Sequence, residues 1–155
     1  MINFNQLEEL TRQTLADWSE LDTRLGRMAD RQRAVTLIMM IIAHESNGGT
    51  YLKQVRGPAL GIIQMEPLTH DDVWNRLTGI EESAAFLGLY RSQQELISNL
   101  RYNIFMARAF IMLDREPLPD YEDASAYLKR YYNTHLGAAK PDSYVKDYER
   151  WKRNS

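Results

Sequence analysis

The chain has 155 residues, 44% hydrophobic and 26% charged, with 21 acidic against 19 basic side chains and a net charge of −2. That length fits a single domain, 1–155, that can bury a core without staples, and the composition excludes a disordered chain and gives nucleic acid no basic field to follow. Cysteine is absent, which excludes disulfides and cysteine-nucleophile chemistry.

Met1-Ile2-Asn3-Phe4-Asn5 has no basic segment leading into an apolar one, so no conventional secretory signal is expected. The longest apolar run, Leu37 to Ala43, is too short to span a bilayer and reads as a core helix. Neither membrane insertion nor a nucleic-acid partner is expected, and the chain reads as a monomer.

Asn5 to Leu25 is predicted as one helix, with Asn5 and Glu8 in capping-box spacing and Leu7, Leu10, Trp18, Leu21 and Leu25 near helical period. Gly26 to Ala29 reads as a joint. Asp30 then caps a helix from Arg31 to Glu45, which Asn47, Gly48 and Gly49 stop. From Ser46 to Gly61 periodicity is lost among Gly48, Gly49, Gly57, Pro58 and Gly61, so a loop or small hairpin is expected, with Thr50-Tyr51-Leu52 and Ile62-Ile63 as candidate strands.

Further on, Thr69 and Asp72 read as the cap of a short helix through Val73, Trp74 and Leu77. Ser92 and Glu95 repeat that signature before a long amphipathic helix carrying Leu96, Leu100, Ile104, Ala107 and Ile111. Pro117 and Pro119 end it, Asp120 caps Tyr121 to Tyr132, and Pro141 opens a final helix with Tyr144, Tyr148 and Trp151. Strand-like alternation is nearly absent. The fold class is therefore mainly α, with a small irregular or β-hairpin region after the second helix.

Ala34, Ile38 and Ile41 step by four and three, and the next step of four lands on Glu45. Burial beside that stripe and the negative end of the helix dipole both disfavour its ionised form. Such a carboxyl keeps its proton near neutral pH and can act as a general acid; read alone, it is equally an ordinary glutamate at a solvated helix end. His44-Glu45 begins like a zinc-protease motif, but position 48 is Gly where a second His is required. His44, His70 and His135 show no clustered ligand spacing, so neither a metal nor any other cofactor is expected.

Glu45-Ser46, followed by Ala59-x-Gly61-Ile62-Ile63-Gln64-x-x-Pro67-x-Thr69, resembles the signature of the soluble lytic transglycosylases and related lysozyme-like proteins, including phage muramidases. Asn103-Ile104 is similar to that family's Asn-Ile element, and Tyr132-Asn133 to the start of its Tyr-Asn-Ala-Gly element, although Thr134-His135-Leu136 stand before Gly137. The four pieces, in order, run from Glu45 to Gly137.

The resemblance implies a lysozyme-like domain that cleaves the glycan strands of peptidoglycan, with Glu45 as catalytic acid and base. It implies substrate binding by Gln64, and Tyr132 holding Glu45 through its hydroxyl; the plainer readings are a loop-fixing amide and a core tyrosine. Ser46 is a candidate for substrate or backbone hydrogen bonding. It gives Gly61, Asn103 and Asn133 structural places near the site. Glu66, where the family often has Met, Asp71 and Asp72 are the candidate second carboxylates of a hydrolase, with Asp71 and Asp72 better suited to the helix start than to the cleft. Tyr51, Trp74, Tyr131 and Tyr132 are candidates for stacking on sugar rings. By analogy the chain suits a bacteriophage lysis protein or a virion component with other virion proteins as partners. Chitin is the alternative substrate, and a non-catalytic glycan-binding or structural virion protein the alternative role.

Overall fold

The computed structural model describes residues 1–133 and 137–155. Eight α-helices follow one another: α1 (Phe4–Ser19), α2 (Met28–Ser46), α3 (Pro67–Arg76), α4 (Ile80–Phe86), α5 (Glu95–Ser98), α6 (Leu100–Met112), α7 (Tyr121–Leu128) and α8 (Ser143–Arg153). A 3-10 turn (Thr23–Leu25) precedes α2, and a π-helical turn (Lys129–Asn133) extends α7. The protein is mainly helical, as its periodicity predicts. None of the described helices is long and apolar enough to cross a membrane.

Packing centres on α2, which lies against α1, α6, α7 and α8. Every residue from Leu37 to Ala43 is at most 2% exposed. A helix apolar all round is the sequence form of an element surrounded on every side, so the expected single stripe is in fact a fully enclosed rod. In α6, Tyr102 through Ala109 are likewise all buried. The far end of α2 is tied to the chain's N-terminal segment and to α8. Ile2 donates its amide to the Gly48 carbonyl at 2.8 Å, and the Trp151 indole donates to the Ile2 carbonyl at 2.8 Å.

Several boundaries differ from expectation because side chains cap the backbone earlier. Helix α1 starts behind Asn3, which accepts the Gln6 amide at 3.1 Å, and stops at Ser19; Asp22 then accepts the Arg24 amide at 2.9 Å to start the 3-10 turn. Helix α2 begins at Met28, three residues early, so Asp30 accepts the Arg27 amide from inside the first turn. Helix α3 starts at Pro67 behind Glu66, which places Thr69 inside the helix rather than at its cap. The long helix expected from Ser92 is two: Asn99 takes an extended conformation and accepts the Tyr102 amide at 3.1 Å, restarting the chain as α6. Pro141 lies two residues before α8. Helix α4 carries no sequence expectation.

No strand forms among the described residues, so the candidates Thr50-Tyr51-Leu52 and Ile62-Ile63 are not strands. Two single antiparallel bridges, Lys53 with Leu60 and Leu60 with Met65, hold the region after α2. Leu60 and Met65 exchange amide bonds of 2.9 and 3.0 Å around a tight turn, Gly61–Gln64, whose Ile62 and Ile63 are fully buried. The turn thus plugs into the core by its apolar centre.

Gly61 has φ +78°, and a Cβ there would collide with the Asn103 side-chain oxygen and the Leu96 carbonyl. Asn103 is itself fixed by amide bonds of 2.8 Å to the Leu96 and Asn99 carbonyls. Gly61→Ala is therefore expected to destabilise the fold by about 3 kcal/mol, combining left-handed strain with overpacking, measured as a fall in the urea midpoint. An unchanged midpoint would refute the close approach.

Candidate functional site

Glu45 occupies the last turn of α2, whose cap Asn47 is left-handed with φ 51°. The half-buried carboxyl accepts a hydrogen bond of 2.6 Å from the Tyr144 hydroxyl of α8. Burial raises the pKa of Glu45 above its ordinary value, and the Tyr144 bond, nearby His44 and the Asn133 side chain pull it part of the way back. The balance is a carboxyl that holds its proton more tightly than a solvated glutamate.

Tyr144 is itself held from behind. The His44 ring lies 4.4 Å from the Tyr144 ring, and His44 Nδ1 is 2.7 Å from Asp147 Oδ2, one turn further along α8. Burial, and then the negative charge of Glu45, push the Tyr144 hydroxyl far above its usual range. It therefore stays a donor at any physiological pH.

Two adjoining hollows of about 430 and 720 Å³ meet at Glu45, and both are lined by Glu45, Gln64, Glu66 and Asn133. One arm runs over Met65, Thr69, Phe110, Tyr131 and Tyr132. The other runs over Tyr51, Lys53, Gln54 and Val55. Together they form a groove with space on both sides of the buried carboxyl.

The groove gathers most of the residues singled out from the sequence. Gln64 lines both arms in a left-handed conformation, φ 49°, and its amide donates to the Gly61 carbonyl at 2.9 Å. That conformation is uncommon for a residue with a side chain and is held by the Leu60–Met65 bonds around it. Glu66 lines both arms as an exposed side chain with no capping bond. Asn133 accepts from the Lys129 ammonium at 3.0 Å, which also donates to the Gly137 carbonyl at 3.0 Å. Thr134, His135 and Leu136 lie outside the described residues.

Four assignments change. Tyr132 is in the groove, but its hydroxyl donates to the Ile63 carbonyl at 2.5 Å, bracing the buried turn; the hydroxyl expected on Glu45 comes from Tyr144 instead. Ser46 is fully buried and cannot reach a substrate: its hydroxyl donates to the Ile42 carbonyl and accepts the Gly49 amide, finishing the helix. Asp71 is not in the groove. It accepts from His70 Nδ1 at 2.9 Å and from the Gln93 amide at 3.0 Å, and these bonds hold it below the usual carboxylate range. Trp74 is buried and donates to the Tyr102 hydroxyl at 2.9 Å, so it offers no sugar platform.

The Tyr102 oxygen receives N–H groups from Trp74 and Ser92, so its own proton goes to His70 Nε2, 2.7 Å away. His70 Nδ1 then carries the hydrogen shared with Asp71. Burial lowers the pKa of His70, which favours its neutral ring. This network supports α3 from beneath, and Asp72 pairs with Arg76 on its surface at 2.9 Å.

Among the described residues no three His, Cys, Asp or Glu side chains gather as a metal ion would need. Tyr144 is the functional residue that sequence reasoning missed. It lies 99 positions from Glu45, and its spacing within α8 reads as packing. No family model matches the chain, and no curated protein or solved structure matches it either.

Two measurements check the electrostatics. Tyr144→Phe removes a donor that favours the carboxylate, so Glu45 should titrate at still higher pH in a carbon-13 carboxyl titration; a fall would refute the assignment. Glu45 binds its proton more tightly folded than unfolded, so its contribution to stability is full below the ordinary value of 4.5 and declines as pH rises through the raised one. Glu45→Gln lacks that decline. Its melting temperature should gain on the parent's as pH rises through this window, and a constant difference would refute the shift.

Proposed function

We propose that this protein is a lysozyme-like enzyme that cleaves the MurNAc–GlcNAc bond of peptidoglycan glycan strands, acting as a lytic transglycosylase through Glu45. The observation that carries the reading is the proton-retaining carboxyl of Glu45, buried at the junction of two groove arms, where the middle of a chain substrate can pass. The order of Glu45, Gly61-Ile62-Ile63-Gln64, Asn103 and Tyr132-Asn133 along the chain supports it further.

In this mechanism the Glu45 carboxyl gives its proton to the glycosidic oxygen as the bond to the sugar's C1 breaks. The GlcNAc end leaves as an alcohol, and positive charge develops on the MurNAc ring. The Glu45 carboxylate, holding the Tyr144 hydrogen bond, then takes the proton of the MurNAc 6-hydroxyl as that oxygen closes on C1. The products are a 1,6-anhydro sugar and a regenerated acid, with no water consumed. Tethering of the nucleophile is worth about 7–11 kcal/mol of barrier, which is why one carboxyl can serve both steps.

Gln64 and Asn133 line both arms beside Glu45 and would offer amides to the sugar, with Tyr51 in one arm and Tyr131 in the other. One observation favours a hydrolytic outcome: Glu66 also faces both arms and could direct a water to C1. A non-catalytic glycan-binding or virion role predicts no release of product at all.

Purified peptidoglycan incubated with the protein should release anhydromuramoyl fragments, identified by mass spectrometry. Glu45→Gln should slow release by about 10²–10⁴-fold, and Glu66→Gln should leave the anhydro product unchanged. Fragments heavier by one water, lost in Glu66→Gln, would make the enzyme a muramidase. Intact glycan with a folded protein would overturn the enzymatic reading.

A further inference from the structure

The interior holds one arginine without a counter-charge among the described residues. Arg108, in the second half of α6, is 5% exposed, its Nε has no hydrogen-bond partner, and no ion pair forms to its guanidinium. Burial pulls its pKa down to about 10, so it remains a cation at neutral pH. A buried cation is retained at a cost in stability unless an anion meets it.

The acids around it each hold another contact, and none forms an ion pair with Arg108. Asp22 is taken by Arg24, whose guanidinium binds it at 2.7 Å. Asp30 accepts the Arg27 amide and lies 3.5 Å from Arg33. Asp114 accepts the Glu116 amide at 3.2 Å.

Arg108 lines a hollow of about 290 Å³ that shares no residue with the Glu45 groove. Asp30, Asp114 and Glu116 stand on the same walls, and Ile111, Met112 and Leu118 supply an apolar side. Arg24, paired with Asp22, lines the hollow too, so three carboxylates stand there beside two guanidinium groups, and a simple anion such as phosphate would meet Arg108 but also face those carboxylates. A ligand with its own cation beside its anion satisfies both.

We infer that this hollow is a binding site for a small zwitterion, an α-amino acid with an apolar side chain, whose carboxylate pairs with Arg108. The ammonium faces Asp30, Asp114 and Glu116, and the side chain lies on Met112 and Leu118. The size of the hollow suits an amino acid, near the lower end of ligand pockets. The guanidinium fork suits a carboxylate held by two parallel bonds. The site is independent of Glu45.

Calorimetric titration of the full chain with leucine tests this, with N-acetyl-leucine, leucinamide and inorganic phosphate as controls. Leucine should bind, and each control should bind at least about tenfold more weakly. Arg108→Met should abolish leucine binding while its own melting temperature stays level or rises, because an unpaired buried charge is gone. Glu45→Gln should bind leucine as the parent does, so loss of glycan cleavage and loss of this site are told apart. No leucine binding, phosphate or N-acetyl-leucine binding as tightly as leucine, equal binding by Arg108→Met, or a lower melting temperature for that variant would each overturn the proposal.

Discussion

The hydrogen bond from Tyr144 to Glu45 reconciles two demands that otherwise conflict. A carboxyl at the C-terminal end of an enclosed helix meets low dielectric and an unfavourable dipole, and either drives it to keep its proton. Without a donor the group would also lose hydrogen bonding on burial, which is costly in any protonation state. Tyr144 supplies that donor while leaving the net shift upward. His44 and Asp147 hold the tyrosine ring in place, so the setting of one carboxyl depends on contacts between α2 and α8.

The opposite wall of the groove is rigid for a different reason. The turn at Gly61–Gln64 has two buried isoleucines as its anchor, the Asn103 side chain behind its glycine and the Tyr132 hydroxyl on one of its carbonyls. Gln64 is thereby held over the groove by backbone, and its own side-chain amide is tied to the Gly61 carbonyl. Polar groups beneath it, from His70 to Tyr102 and Trp74, are all partnered, so this wall has little freedom to rearrange. Arg108 stands apart as a buried cation that the fold itself leaves unmet.

Much of this was legible in the sequence, and the failures have physical causes. The uninterrupted apolar run of α2, its stop at Asn47 and the consequent place of Glu45 follow from local rules, as does the loop after it. Gln64 and Asn133 line the groove beside Glu45, and Gly61 opens the buried turn that carries Gln64. Caps were the weakest inference, because Asn3, Asp22 and Asn99 compete with neighbouring residues of equal capping power. Asp71 reads as suited to a helix start rather than a cleft, but its partners, His70 and Gln93, are not written in that local pattern. Ser46 and Tyr132 carry polar groups whose nearest acceptors are backbone carbonyls, and a sequence does not say which partner a hydroxyl will choose. Tyr144 needed the docking of α8 onto α2, a contact that no local pattern encodes.

That docking also sets when in folding the acid acquires its character. Glu45 and Tyr144 are 99 residues apart, and contacts of such separation carry a large loop-closure entropy, so they belong to the slow, cooperative part of a folding reaction. Helix α2 can form and bury its apolar face against α1 much sooner, with Glu45 still an ordinary solvated carboxylate. The raised pKa is thus a property of the completed tertiary structure, and a chain in which α8 is not docked leaves Glu45 without its Tyr144 bond. In refolding, recovery of helix signal should run ahead of recovery of the carboxyl's altered titration, and the gap between them times the closing of α8.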